Sequence, residues 1–88
     1  MDIKISQPTA KEVREKEIAQ WAIWTSDVDE FDWEYLTCEQ CYILEGEVEV
    51  LVGDEIVRIQ PGDFVEFPRG LRCRWHVLQP IRKHFQML

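Results

Sequence analysis

The spacing of apolar positions changes from helical to alternating along the chain. The stretch Thr9-Ala10-Lys11-Glu12 has the form of a capping box and predicts a short, mostly charged helix over residues 10–17. From Trp21 onward apolar residues occupy every second position. Phe31, Trp33 and Tyr35 alternate with Asp32 and Glu34. Val48, Val50 and Val52 alternate with Glu49 and Leu51. The segment Ile3–Ser6 is a further possible strand. The pattern therefore predicts a mainly β domain with one minor helix.

Turn-forming residues recur between these predicted strands. They are Glu45-Gly46, Gly53-Asp54, Pro61-Gly62-Asp63 and Pro68-Arg69-Gly70. Gly53-Asp54 suits a tight hairpin, and Pro61-Gly62 suits a type II turn with the glycine at positive φ. Short strands with regular turns are typical of a β-sandwich or a barrel.

Two short motifs resemble those of the cupin superfamily. In GDFVEFPRGLRCRWHV, the residues Gly62, Pro68 and Gly70 stand at the positions of the second cupin motif, and Glu39 with Gly46 in EQCYILEG fits the end of the first. The chain looks most like the subfamily of ureidoglycine aminohydrolase and an ethanolamine-utilisation cupin. The resemblance implies a single RmlC-like jelly-roll β-barrel over residues 1–88, with its core motifs at about 33–77.

The resemblance does not extend to the metal-binding histidines of the family. Its histidine positions fall at Trp33, Tyr35 and Cys73, so that Glu39 is the one family ligand position with a ligand-capable residue of the expected kind. Divalent metal sites need several imidazole and carboxylate ligands around one open position. We therefore expect no metal or other cofactor, and we expect His76 and His84 to be surface or hydrogen-bonded sheet residues.

Alternation places aromatic and thiol residues and one carboxylate on the inner faces of the two motif strands: Trp33, Tyr35, Glu39, Cys41, Cys73 and Trp75. Lys83, on the last strand, is the candidate for a cation in the same site, and the register of that strand is left open. These seven are the predicted ligand-binding residues. Two interpretations stay open for them: an apolar pocket with a few polar groups, which is the usual form of a small-molecule site, or a barrel interior filled by side chains.

Three functions are compatible with these residues. The favoured one is non-catalytic binding, in which Trp33, Tyr35 and Trp75 stack on a ring or carbohydrate and Glu39 orients it. Metal-free catalysis would use Glu39 as general acid or base and Cys73 as nucleophile. Metal-dependent hydrolysis of a ureido compound, as the resemblance implies, is the third.

Composition and charge limit the partners. The chain has 88 residues, a net charge of −7 and three cysteines. The acidity argues against nucleic-acid and anionic-membrane binding, and the odd cysteine count favours reduced thiols in the cytoplasm. On a strand, Cys38 and Cys41 would face opposite sides, so we predict no knuckle or disulfide between them.

Residues 68–84 hold five Lys or Arg side chains and no acid. They either pair with the acidic segment 27–34 or form a receptor for an anion. Arg72 and Arg74 are expected outside the barrel and Lys83 inside it. Open strand edges and the apolar Trp21 and Trp24 predict a homodimer. The resemblance to small cupins implies the same.

Overall fold

A computed structural model describes residues 2–88, which contain one α-helix and a short 3₁₀ turn. The helix α1 spans Ala10–Glu15, and both capping-box bonds are present: Thr9 Oγ1 accepts from the Glu12 amide at 3.2 Å, and Glu12 Oε1 accepts from the Thr9 amide at 3.1 Å. The predicted helix is confirmed but ends early, because Glu17 adopts a left-handed φ of 54° and a 3₁₀ turn follows at Ile18–Gln20. Neither helical segment has the length and apolarity needed to cross a membrane.

The described chain also contains seven strands, all paired antiparallel. They are β1 (Lys4–Ser6), β2 (Ala22–Ser26), β3 (Asp29–Glu34), β4 (Glu39–Val52), β5 (Glu55–Ile59), β6 (Phe64–Phe67) and β7 (Arg72–Met87). The hydrogen-bonded order is β1-β6-β4-β7-β2, with β3 also on β7 and β5 also on β4. The prediction of a mainly β domain with one short helix is confirmed.

The long strands β4 and β7 form the central pair of the sheet. One half of β7 pairs with β3 and the other half with β2, while β4 pairs with β6 at its start and β5 at its end. The path of pairings runs from β1 to β2 and does not close on itself. A closed barrel is therefore not confirmed.

Alternation along the central strands builds the core. On β4 and β7 the buried side chains recur at every second position over long stretches, as a sheet with one covered face requires. The buried cluster contains Tyr35, Cys41, Ile43, Val48, Val50, Ile59, Val65, Phe67, Leu71, Cys73, Trp75, Val77 and Ile81.

The turn predictions hold at three of four places. Gly53-Asp54 connects β4 to β5, and the amide of Asp63 donates to the carbonyl oxygen of Gln60 across Pro61 and Gly62, whose φ is 90°, as a type II turn requires. Gly70, with a φ of 88°, lies in the turn before β7. The fourth prediction is wrong: Glu45-Gly46 lies inside β4.

Gly46 marks an irregularity in β4 rather than a turn. Its φ is 95°, and the register of β4 against β7 shifts between Ile43 and Val48. A Cβ at position 46 would collide with the carbonyl oxygen of Pro80 and would lie 2.7 Å from the Cα of Ile81. Glycine is required here because the backbones of β4 and β7 approach closely at a bulge.

Candidate functional site

A pocket of about 170 Å³ opens on the covered face of the sheet. Strands β2, β3, β4 and β7 and the segment after β3 supply its walls. The lining residues are Trp24, Phe31, Trp33, Tyr35, Glu39, Trp75, Lys83, Phe85 and Met87. Two of them, Trp33 and Met87, are also exposed to solvent and form part of the mouth.

Strand register brings these side chains together. Trp75, Lys83, Phe85 and Met87 occupy odd positions of β7, and this parity continues through Pro80. The backbone of Phe31 lies opposite Trp75, and that of Trp24 lies opposite Lys83. Opposite positions in an antiparallel pair place their side chains on the same face, within contact distance.

The aromatic walls are packed against one another. The Trp75 ring lies nearly parallel to Phe31, at 10° and a centroid distance of 6.2 Å, and Trp24 meets it edge-on at 6.0 Å. Trp75 Nε1 donates to Tyr35 Oη at 3.1 Å, and the Tyr35 ring stacks on Phe67 at 4.5 Å. Because each ring is held by its neighbours, the walls are preorganised.

A buried ion pair supplies the polar part of the pocket. Lys83 Nζ donates to Glu39 Oε2 at 2.8 Å, with side-chain exposures of 7% and 6%. The ammonium also lies over the rings of Trp75 at 4.8 Å and Trp24 at 5.2 Å. A buried ammonium is tolerated only with such compensation, from a carboxylate and from aromatic faces.

Tyr35 adds a hydroxyl that stays protonated. Burial raises the pKa of Tyr35 well above its ordinary value, and the nearby Glu39 charge raises it further. The hydroxyl is therefore a neutral donor and acceptor at any ordinary pH.

The structure places five of the seven predicted ligand-binding residues on this pocket. They are Trp33, Tyr35, Glu39, Trp75 and Lys83. The two cysteines lie elsewhere: Cys41 is fully buried in the core, and Cys73 is a core residue that lines a shallower surface depression with Arg72 and Arg74.

Burial disfavours the thiolate form of the two inner cysteines. Burial raises the pKa of Cys41 to about 12, despite the opposing effect of Lys83, and raises that of Cys73 to about 11. Within residues 2–88 no cation lowers the pKa of Cys73; the neighbouring Trp75 lowers it and the Asp32 charge raises it. The cation-activated Cys73 that metal-free catalysis would need is therefore not found among the described residues.

The cysteine pair of the first motif forms no disulfide, although only Cys41 of the pair lies on a strand. Cys38 is exposed and Cys41 is buried, and all three cysteines, each within residues 2–88, are free thiols. Cys38 lies just before β4, which begins at Glu39, and Cys41 lies within it.

Four pocket residues were not among the predicted site residues: Trp24, Phe31, Phe85 and Met87. Phe31 shares the parity of Trp33, and Phe85 and Met87 share the parity of Lys83, so extended alternation is a signal that could have found these three. Trp24 carries no such signal, because its place depends on the register of β2 against β7.

The acidic and basic segments pair with each other across β3 and β7. Arg74 contacts Glu30 and Asp32 at 2.9 Å each, and Arg72 contacts Glu34 at 3.2 Å. The hydrogen bond from Arg74 holds the pKa of Glu30 below its ordinary value. The first interpretation of the basic segment is thus correct for Arg72 and Arg74, and both lie outside the pocket, as predicted.

The residues present do not fit a divalent metal. No group of three or more His, Cys, Asp or Glu side chains is placed to hold an ion within residues 2–88. The carboxylate of Glu39 is already paired with an ammonium, which would repel a metal cation. His84 Nδ1 instead lies 3.1 Å from the carbonyl oxygen of Trp21, and His76 is a half-buried position of β7 opposite Glu30 and Glu49.

The two motif strands lie at the centre of this antiparallel sheet, beside the pocket. Residues 13–85 match the EutQ-like cupin domain, and the chain belongs to this family.

Solved structures agree with this assignment. The crystal structure of a DUF861 family protein from Thermotoga maritima is 50% identical, with a TM-score of 0.96, and covers 99% of this chain and 100% of its own. The EutQ protein of Clostridium difficile is similar in fold at 19% identity and a TM-score of 0.67, covering 72% of this chain and 50% of that one. A putative ethanolamine utilization protein from Salmonella typhimurium is 20% identical, with a TM-score of 0.66, over 97% of this chain and 68% of that one. No curated protein matches the sequence.

Proposed function

We propose that this cupin binds a small molecule in the pocket between β2, β3, β4 and β7, and does so without a metal centre. The observation that carries the proposal is the pocket itself: preformed aromatic walls around one buried ammonium–carboxylate pair. Apolar walls with a few placed polar groups are the general form of small-molecule sites. This supports an open pocket over an interior filled by side chains.

The four tryptophans provide an internal test of binding. Trp24, Trp33 and Trp75 line the pocket, whereas Trp21 packs on Phe64 outside it. A library of small metabolites and ring fragments would be screened by thermal shift, and each hit would be titrated into ¹⁵N-labelled protein. We expect hits that move the indole N–H signals of the three pocket tryptophans and leave that of Trp21 unchanged.

Two results would contradict the proposal. One is a screen in which no compound small enough for the pocket moves these signals. The other is binding that moves Trp21 and not the pocket tryptophans, because it would place the site elsewhere.

A second candidate is a metal-free enzyme that acts on a small polar metabolite. The supporting observation is the 2.8 Å contact of Glu39 with Lys83, since a carboxylate and an amine in a partly dry pocket can exchange a proton with a bound molecule. Turnover of a hit compound that is lost in Glu39→Gln, with binding retained, would favour this candidate. Metal-dependent hydrolysis gains no support from the donor set.

A further inference from the structure

We propose that the pocket selects an uncharged, single-ring ligand that carries a hydrogen-bond donor beside an acceptor, as phenols and cyclic lactams do. This inference rests on the proposed function, that the pocket binds a small molecule, and names the chemistry of that molecule. Size, charge and hydrogen-bonding capacity each point to the same class.

The volume of the pocket accommodates about one ring. A cavity of roughly 150 Å³ lined by apolar side chains is large enough for benzene, and this pocket measures about 170 Å³. There is room for a six-membered ring and a small substituent. The flat walls formed by Trp75, Phe31 and Trp24 also favour a planar ligand, which can pack against ring faces.

The charges in the pocket cancel. Of the lining residues in the described chain, only Lys83 and Glu39 carry a formal charge, and they neutralise each other at 2.8 Å. A ligand with a net charge would lose its hydration and find no unpaired counter-charge. A cationic ligand would also compete with Lys83, which already occupies the aromatic faces that recognise cations.

The ion pair still offers hydrogen bonds of both kinds. An ammonium has three donors, and a carboxylate has two oxygens; the contact between Lys83 Nζ and Glu39 Oε2 uses one donor and engages one oxygen. A hydroxyl group, or a lactam N–H beside its C=O, can accept from Lys83 and donate to Glu39 at once. A sugar of similar size fits poorly, because several more hydroxyls would face apolar walls without partners.

Five ring compounds of similar size separate these requirements. Phenol and 2-pyridone carry both a donor and an acceptor, toluene carries neither, benzoate is an anion and benzylammonium is a cation at pH near 7. Each would be titrated into ¹⁵N-labelled protein while the indole signals of Trp24, Trp33 and Trp75 are followed. We expect phenol and 2-pyridone to bind at least about tenfold more tightly than either ion, and more tightly than toluene.

Two variants test the role of the ion pair directly. Glu39→Gln leaves the Lys83 charge unpaired, so benzoate should gain at least about tenfold while benzylammonium does not. Lys83→Met leaves the Glu39 charge unpaired and should produce the reverse. Glu34→Gln is the matched control, because Glu34 is an exposed carboxylate that pairs with Arg72 outside the pocket, and it should leave all five affinities unchanged.

The outcomes separate this inference from the proposed function. If an ion binds the unaltered protein as tightly as phenol, if toluene equals phenol, or if folded variants keep the original charge preference, the inference is wrong. If none of the five compounds binds but the wider screen finds a pocket ligand, the inference is also wrong and the proposed function stands. If a variant does not fold, as judged by circular dichroism, the five-compound comparison on the unaltered protein decides alone. Failure of both the five compounds and the wider screen overturns the proposed function itself.

Discussion

At the residue scale, Lys83 differs most from its basic neighbours in the sequence, because its side chain is buried. It lies in the basic stretch whose arginines Arg72 and Arg74 carry their charges on the outer side. Lys83 is only 5% exposed, because its odd position on β7 faces the covered side of the sheet. Its burial is possible because Glu39 and two indole rings replace the lost hydration.

The cysteines permit a prediction about reactivity. At pH near 7, iodoacetamide should label Cys38 in the folded protein and leave Cys41 and Cys73 unlabelled, because the thiolate is the reactive form and the raised pKa values keep both buried thiols protonated. Mass spectrometry should find one label per folded chain and three after denaturation. Cys38→Ser serves as the control and should take up none while folded. Rapid labelling of Cys73 would contradict this expectation and restore Cys73 as a candidate nucleophile.

At the scale of elements, the bulge around Gly46 changes the register in which the two central strands β4 and β7 pair. Residues 39–43 of β4 face the pocket half of β7, whereas residues 48–51 pair with its beginning. The irregular register between these two stretches of β4 lies opposite Pro80. β7 pairs with β3 before this point, over residues 72–77, and with β2 after it, over residues 81–85. Proline lacks an amide N–H, and it is tolerated here because the ladder is already interrupted.

Gly46→Ala should therefore be much more harmful than an alanine at another positive-φ glycine. We expect Gly46→Ala to lower the free energy of unfolding by about 3 kcal/mol or more, because its Cβ would strike the backbone of β7 in addition to the backbone strain. Gly53→Ala, with a φ of 57° and open space around its Cβ, should cost only about 1 kcal/mol. Denaturant unfolding of both variants measures the difference. Equal losses would mean that β4 and β7 do not approach each other this closely.

At the scale of the whole molecule, the pocket depends on strands far apart in the chain. Trp24 comes from β2, Phe31 from β3 and Glu39 from β4, while β7 contributes residues along the half that includes Lys83. Each strand alone presents one or a few apolar side chains, and only their association forms the pocket. The selectivity proposed for the pocket is therefore a property of the assembled sheet.

Assembly into a homodimer remains a prediction for the whole molecule. The tryptophans that suggested it pack within the chain instead, Trp21 on Phe64 and Trp24 on Trp75. Exposed apolar side chains remain at other places, including Ile23, Leu36 and Ile56, and the sheet ends at the edges of β1 and β2. Light scattering should give twice the chain mass of 10.5 kDa. A single-chain mass at micromolar concentration would contradict the dimer.

The sequence by itself determined which way most side chains face. Alternation in β3, β4 and β7 and turn chemistry at Gly53, Gly62 and Gly70 are local properties, because the pleat of a strand and the φ of a glycine depend on near neighbours. They were enough to predict the mainly β fold, and together with the resemblance to the two cupin motifs they predicted five of the residues that line the pocket.

Only the tertiary structure decided the partners across strands. The ion pair between Glu39 and Lys83 joins residues 44 positions apart, and the place of Trp24 beside Lys83 follows from the register of β2 on β7. Local pattern cannot give register, because shifting one strand by two residues keeps every side chain on its face while changing every partner. For the same reason Glu45-Gly46 resembled a turn: the approach of Pro80, which makes it a bulge, comes from a distant part of the chain.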